Sequence, residues 1–187
     1  MGPQAASPVD DRLYQRLVDL LSAWRPDPGP GHTELRPAVE QALHHEARLL
    51  DDRCYRDWLE RFTDDCVYWV PLDPDGDPRA QVSYLLDDRR RMEDRIGLLE
   101  TGWAHAQEPP SRTCRIVSNT EAWPLEDGDT LARCSTVVWE HRKDRLTPFA
   151  SRNDYVFASL GEEWSIRFKI VRLVDSRGDV RKFSFVL

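Results

Sequence analysis

The side chains with metal or nucleophile chemistry in reach are few. They are His32, His44, His45, His105 and His141, with Cys54, Cys66, Cys114 and Cys134. A mixed iron–sulfur cluster takes two cysteines and two histidines, and a mononuclear iron takes two histidines and a carboxylate. Mixed-cluster ligands arrive as close Cys–His pairs, yet no cysteine here has a histidine within three residues. His44 and His45 are adjacent, so on a helix they diverge by about 100° and share an ion poorly. The remaining histidines are scattered over linker and loop. Metal ligation within this chain is not expected. The cysteines form no Cys-x-x-Cys pair, there is no Gly-x-Ser-x-Gly elbow, and Gly29-Pro-Gly31 lacks the strand-to-helix context of a phosphate loop.

One carboxylate is out of place. Glu46 projects onto the apolar stripe of a helix, among Ala42, Leu43, Ala47 and Leu50. Left unpaired there it would cost several kcal/mol, on the order of a buried polar group without a partner. It is expected to be buried and hydrogen-bonded, to an arginine, a tryptophan N–H or backbone donors. The functional alternative is a general acid/base in a pocket lined by Tyr68, Trp69 and Tyr155. Trp58, Tyr68, Trp69, Trp164 and Phe168 read as core, with an aromatic-ligand cavity as the other reading. Arg89-Arg-Arg91 and Arg95 alternate with Asp87, Asp88, Glu93 and Asp94, a pattern that ion pairing explains more simply than an anion site.

The elements that would position these residues follow from periodicity. Leu13, Leu17, Leu20, Leu21 and Trp24 mark a helix behind Asp10 and Asp11, and Arg25 to Gly31 is a Pro/Gly linker. Residues 1–33 thus read as a helical arm, of a kind that packs on a neighbour or stays mobile, and 34–187 as one domain. A helix is expected over Pro37–Leu50 and a shorter one through Tyr55, Trp58, Leu59 and Phe62. Cys66–Val70 and Gln81–Leu86 read as strands, and Asp87 and Asp88 open a third helix that ends at Gly102. The second half is β: Thr113–Thr120, Thr130–Trp139, Ala150–Ser159, Glu163–Leu173 and a terminal Lys182–Leu187. In the fourth of these Trp164, Ile166, Phe168 and Ile170 alternate with Ser165, Arg167 and Lys169, implying one apolar and one charged face. Helices followed by long antiparallel strands make an α+β layout.

The 187 residues suffice for a full core without staples. A net charge of −7 disfavours nucleic acid, and no apolar run approaches the roughly 20 residues of a membrane span. Isolated cysteines and the absence of a signal-like start are expected of a cytoplasmic chain.

Several stretches resemble the small (β) subunits of aromatic-ring-hydroxylating dioxygenases. They are Glu46-Ala-Arg-Leu-Leu-Asp-Asp52, Tyr55 with Trp58-Leu59, and Asp65-Cys-Val-Tyr-Trp-Val-Pro71. Further along come Asp87 to Arg95, Pro109-Pro-Ser-Arg-Thr113 with Ile116-Val-Ser-Asn119, Trp164-Ser-Ile166 and Phe183-Ser-Phe-Val-Leu187. The likeness spans about residues 36–187. It implies a cystatin-like, NTF2-like roll, with N-terminal helices packed on a strongly curved antiparallel sheet. It implies a non-catalytic subunit of an (αβ)₃ hexamer serving aromatic compound degradation, self-associated as a trimer. The partner α subunit would carry the Rieske [2Fe–2S] cluster and the mononuclear Fe(II), with no cofactor in this chain. Asp88, Arg89, Arg95, Arg112 and Asn119 are candidate subunit contacts, drawn from the most family-specific segments. Two other readings remain open within the same fold. A cofactor-free isomerase or dehydratase would use Glu46 in an open, wet cone. A homo-oligomeric binder of an aromatic molecule would enclose a dry cavity.

Overall fold

The computed structural model describes residues 11–24, 29–100, 109–176 and 186–187. Among the described residues four helices precede or interrupt six strands: α1 (Asp11–Trp24), α2 (Arg36–Asp51), α3 (Tyr55–Leu59), β1 (Phe62–Pro71), β2 (Ser83–Asp87), α4 (Arg89–Glu100), β3 (Arg112–Pro124), β4 (Thr130–Arg142), β5 (Arg145–Ser159) and β6 (Ser165–Leu173). The strands form one curved sheet in the order β2-β1-β6-β5-β4-β3. It is antiparallel except where β1 lies parallel to β6, bringing Phe62 beside Ile166 and Val67 beside Phe168. This is the expected α+β roll, with one parallel pair inserted.

Local chemistry explains the boundaries. Pro37 sits in the first turn of α2, where its missing N–H costs nothing, and Val39, Ala42, Leu43 and Leu50 form the buried stripe. Asp88 rather than Asp87 opens α4, its carboxylate accepting the Arg91 N–H at 2.9 Å. Phe62, expected on a helix, instead begins β1 and pairs with β6. The β4–β5 hairpin turns on Lys143 and Asp144, both at positive φ (48° and 59°), as a two-residue turn matched to strand twist requires.

Both faces of the sheet carry buried apolar residues. On the concave face the helices contribute Val39, Leu43, Trp58, Met92 and Ile96, against Cys66, Tyr68, Ala132, Tyr155 and Ile166. On the outer face α1 packs back on its own chain. Leu17, fully buried, and Leu21 lie against Trp69, Trp123, Phe168 and Ile170. The linker is pinned as it returns: Trp123 donates to the Gly29 carbonyl at 3.1 Å, and the His32 N–H donates to Ala122 O at 2.7 Å. Gly31 is required there, because a β-carbon would stand 3.0 Å from the Ala122 backbone nitrogen.

The single apolar face expected for β6 is corrected. A bulge around Arg167 sets Val156 opposite Phe168 but the next residue, Phe157, opposite Ile166. The inside–outside alternation therefore slips by one. Ile166 faces the helices, Phe168 and Ile170 face α1, and Lys169 is delivered into the concave interior instead of solvent. Gly102, His105 and Lys182–Phe185 lie outside the described residues; Val186 and Leu187 are buried and non-strand.

Candidate functional site

The concave interior holds a deeply buried ion pair. Glu46, 4 % exposed on α2, meets Lys169, 2 % exposed on β6, at 2.8 Å. Trp58 Nε1 donates to the same carboxylate oxygen at 2.9 Å, and the Tyr155 hydroxyl donates to the other at 2.9 Å. Three donors thus occupy both oxygens, which is the buried and bonded state expected of Glu46. The Lys169 ammonium also stands 5.6, 5.4 and 5.6 Å from the ring centres of Trp58, Tyr68 and Tyr155. Aromatic faces attract a cation electrostatically, and more strongly once it has lost its water.

Titration directions follow from burial. Desolvation pulls the Lys169 ammonium below its ordinary value, with the Glu46 charge the main opposing influence. It pushes the Tyr155 hydroxyl well up, and the negative charge of Glu46 pushes it further. Burial raises the thiols of Cys66 and Cys134 to about 12, so neither is a nucleophile at neutral pH.

The expected pocket lining is only partly assembled. Tyr68 and Tyr155 share the interior with Glu46, whereas Trp69 lies on the opposite face and donates to Ser83 Oγ at 2.8 Å. Phe168 is likewise on the outer side. The rings that do face inward pack on one another: Trp58 edge-on to Phe62 and Tyr68, and Phe157 stacked on Tyr155 and edge-on to Trp164. Among the described residues these rings pack around Glu46. Lys169 is the member the sequence reading missed, because a bulge does not show in a two-residue alternation.

A second cluster ties α2 to β3. Arg115 donates to Asp51 and to the Val186 carbonyl, and Asp51 also accepts from Thr113 at 2.8 Å. Tyr68 donates to Leu187 O at 2.8 Å, so the last two residues are held inside the cone.

The candidate contact residues fall into two groups. Asp88 caps α4, and Arg89 donates to the carbonyls of Leu59 (2.8 Å) and Phe62 (2.6 Å), clamping the corner between α3 and β1. Arg95 grips the buried Asp87 with two bonds, at 2.8 and 3.2 Å, while staying half exposed. Arg112 and Asn119 are exposed on β3, Asn119 at positive φ (52°) beside a bulge and 3.4 Å from Ser135 Oγ.

Among the described residues no three histidines, cysteines or acids gather to hold a metal ion. His44 and His32 are exposed, and His45 Nδ1 accepts from Trp164 Nε1 at 3.2 Å.

The family model described as the ring hydroxylating beta subunit matches residues 45–177. The chain belongs to that family. Toluate 1,2-dioxygenase subunit beta of Pseudomonas putida is 31% identical over 142 residues, covering 73% of this chain and 88% of that one. The small oxygenase component of the p-cumate 2,3-dioxygenase system, also from Pseudomonas putida, is 42% identical over 87 residues, covering 45% of this chain and 48% of its own length. Among solved structures, the beta subunit of benzoate 1,2-dioxygenase from Burkholderia mallei has the same fold, with a TM-score of 0.64 at 24% identity over 78% of this chain and 95% of that one. The chain is thus a β subunit of the ring-hydroxylating dioxygenase family.

Proposed function

We propose that this β subunit is non-catalytic by itself and serves by shape, assembling with catalytic α subunits as an (αβ)₃ hexamer in the cytoplasm. The α subunits hold the Rieske [2Fe–2S] cluster and the mononuclear Fe(II), and the complex acts in aromatic compound degradation. Residues 34–187 form the family domain and 1–33 its arm. The observation that carries this reading is the saturation of Glu46: the acid/base candidate read from the sequence has both oxygens taken by Trp58, Tyr155 and Lys169. Exposed polar residues such as Arg112 and Asn119, with the half-exposed Arg95, supply the contacts, while Arg89 and Asp88 shape the surface beneath.

The test is co-expression with the α subunit encoded beside it, followed by sizing and iron analysis of the separated chains. Co-elution with all iron on α is the expected result. Iron that stays with this chain, or turnover by this chain alone, overturns the reading.

A further inference from the structure

His45 and Trp164 meet where three elements converge. His45 is on α2, one residue before Glu46; Trp164 ends the turn between β5 and β6; Arg61 lies between α3 and β1. Trp164 is 3 % exposed. Its Nε1 donates to His45 Nδ1 at 3.2 Å, and the two rings stand edge to face with centres 5.7 Å apart. The Arg61 guanidinium sits over the Trp164 ring at 5.4 Å, and the Arg61 carbonyl accepts the Ile166 N–H at 2.7 Å. Trp164 also meets Phe157 edge-on, and Phe157 stacks on Tyr155, a donor to Glu46. A row of rings thus runs from His45 to the buried ion pair.

The His45–Trp164 bond has one polarity. An indole N–H only donates, so His45 must offer Nδ1 as a bare lone pair, with the ring neutral and its proton on Nε2. An imidazolium carries N–H on both nitrogens and has nothing to accept with. Taking up a proton therefore breaks the bond and leaves the Trp164 donor buried without a partner, a loss worth roughly tenfold in an equilibrium constant. The surrounding charges act the same way. Arg61 reaches Glu163 only at 3.9 Å, with that side chain 98 % exposed, and its buried Nε has no partner among the described residues. Arg48 on α2 adds a second positive charge, Asp57 on α3 opposes them, and Glu46 is engaged by Lys169. Burial first, then Arg61 and Arg48, hold the imidazole below its ordinary value of 6.5. His45 itself stays partly exposed, so a proton from solvent reaches it.

We propose that His45 and Trp164 form an acid-released latch, closed at neutral pH, that fastens the β5–β6 turn to α2 at the outer end of the ring row. Protonation frees the turn, while α2 stays anchored one residue on by Glu46 and at its end by Asp51. The opening is local for that reason. Because the folded chain holds His45 neutral, the unfolded chain takes up the proton first. The stability that the latch contributes is complete above 6.5 and lost as pH falls through the depressed folded value.

Nitrogen-15 TROSY spectra of the full chain from neutral to acid pH, at one protein concentration, test it. The Trp164 indole N–H is assigned by its loss in Trp164→Phe. The His45 ring is assigned by its loss in His45→Asn, a neutral side chain with an acceptor near the Nδ1 position. In wild type the Trp164 signal is expected to move with the His45 titration, at a midpoint below 6.5. Amide exchange in residues 160–164, corrected for its intrinsic pH dependence, is expected to quicken about tenfold across it. In His45→Asn both should stay flat, and in Trp164→Phe the His45 midpoint should rise. A Trp164 signal that ignores the His45 titration, a His45 midpoint at or above 6.5, or the same acid loosening in His45→Asn overturns the latch. Should either variant not fold, exchange in 160–164 is set against the wild-type histidine titrations. Quickening that follows a midpoint below 6.5 supports the latch, and exchange that follows none overturns it.

Discussion

Replacing Glu46 by glutamine removes the counter-charge of Lys169 while keeping the side-chain shape. In wild type the ammonium is 2 % exposed and has one ionic partner. Removing one member of a buried pair costs about 3–5 kcal/mol, because the remaining charge stays buried without compensation. Three ring faces within 5.6 Å offset part of that, each worth roughly 0.5–2 kcal/mol. A loss of about 3 kcal/mol at pH 7 is expected, about a third of a typical domain's stability of ~5–15 kcal/mol. The pH dependence gives the cause. Burial already depresses the folded-state value of Lys169, and Glu46 is what opposes it. Without that charge it falls further. Between the depressed value and the ordinary one near ~10.4, the unfolded chain binds more protons, so stability rises with pH in that window. The deficit of Glu46→Gln against wild type is therefore largest near neutrality and narrows toward pH 9.5. Urea unfolding by tryptophan fluorescence, at one protein concentration and both pH values, measures it; titrations common to both proteins cancel. The double variant E46L/K169M should recover most of the loss. A deficit below about 1 kcal/mol, or one that does not change with pH, would refute the reasoning.

Gly31→Ala should destabilise by about 1–3 kcal/mol through its clash with the Ala122 backbone, whereas Gly97→Ala, with nothing within 4 Å on helix α4, should stabilise by up to ~1 kcal/mol; thermal melts of the two should move in opposite directions. Arg89→Ala leaves the Leu59 and Phe62 carbonyls without their donor and should cost about 1–3 kcal/mol in urea unfolding, while Arg112→Ala should leave unfolding unchanged and weaken assembly on sizing. Alkali should unfold the chain from about pH 9 upward. Cys66 and Cys134 are raised to about 12, so the stability they contribute is complete below their ordinary value of 9.0 and lost across that window; Tyr155 adds a further loss above 10.0. Circular dichroism against pH follows it, and Tyr155→Phe should flatten the limb above 10.

Glu46 was legible because a helix has a fixed period: a carboxylate on a stripe with Leu43 and Leu50 must be buried, and a tryptophan N–H was among its foreseen partners. Lys169 was not, because its direction depends on a one-residue bulge at Arg167, set by strand pairing rather than by its neighbours in sequence. Phe62 misled for a related reason. Its spacing from Tyr55, Trp58 and Leu59 is helical, yet its pairing partner is Ile166, a hundred residues away. Trp69 and Tyr68 are adjacent in a strand and so cannot line one pocket, a constraint that period two alone imposes. Of the paired acids before α4, both suit a cap; which one caps is decided by Arg95, whose fork takes Asp87.

The seating of Leu17 and Leu21 on the outer sheet bears on how the protein can be handled. A chain trimmed to begin at Glu34 would keep every family motif but bare the leucine seats beside Trp123, Phe168 and Ile170. The shortened protein would be greasier, and prone to clump on a surface that the intact one keeps dry.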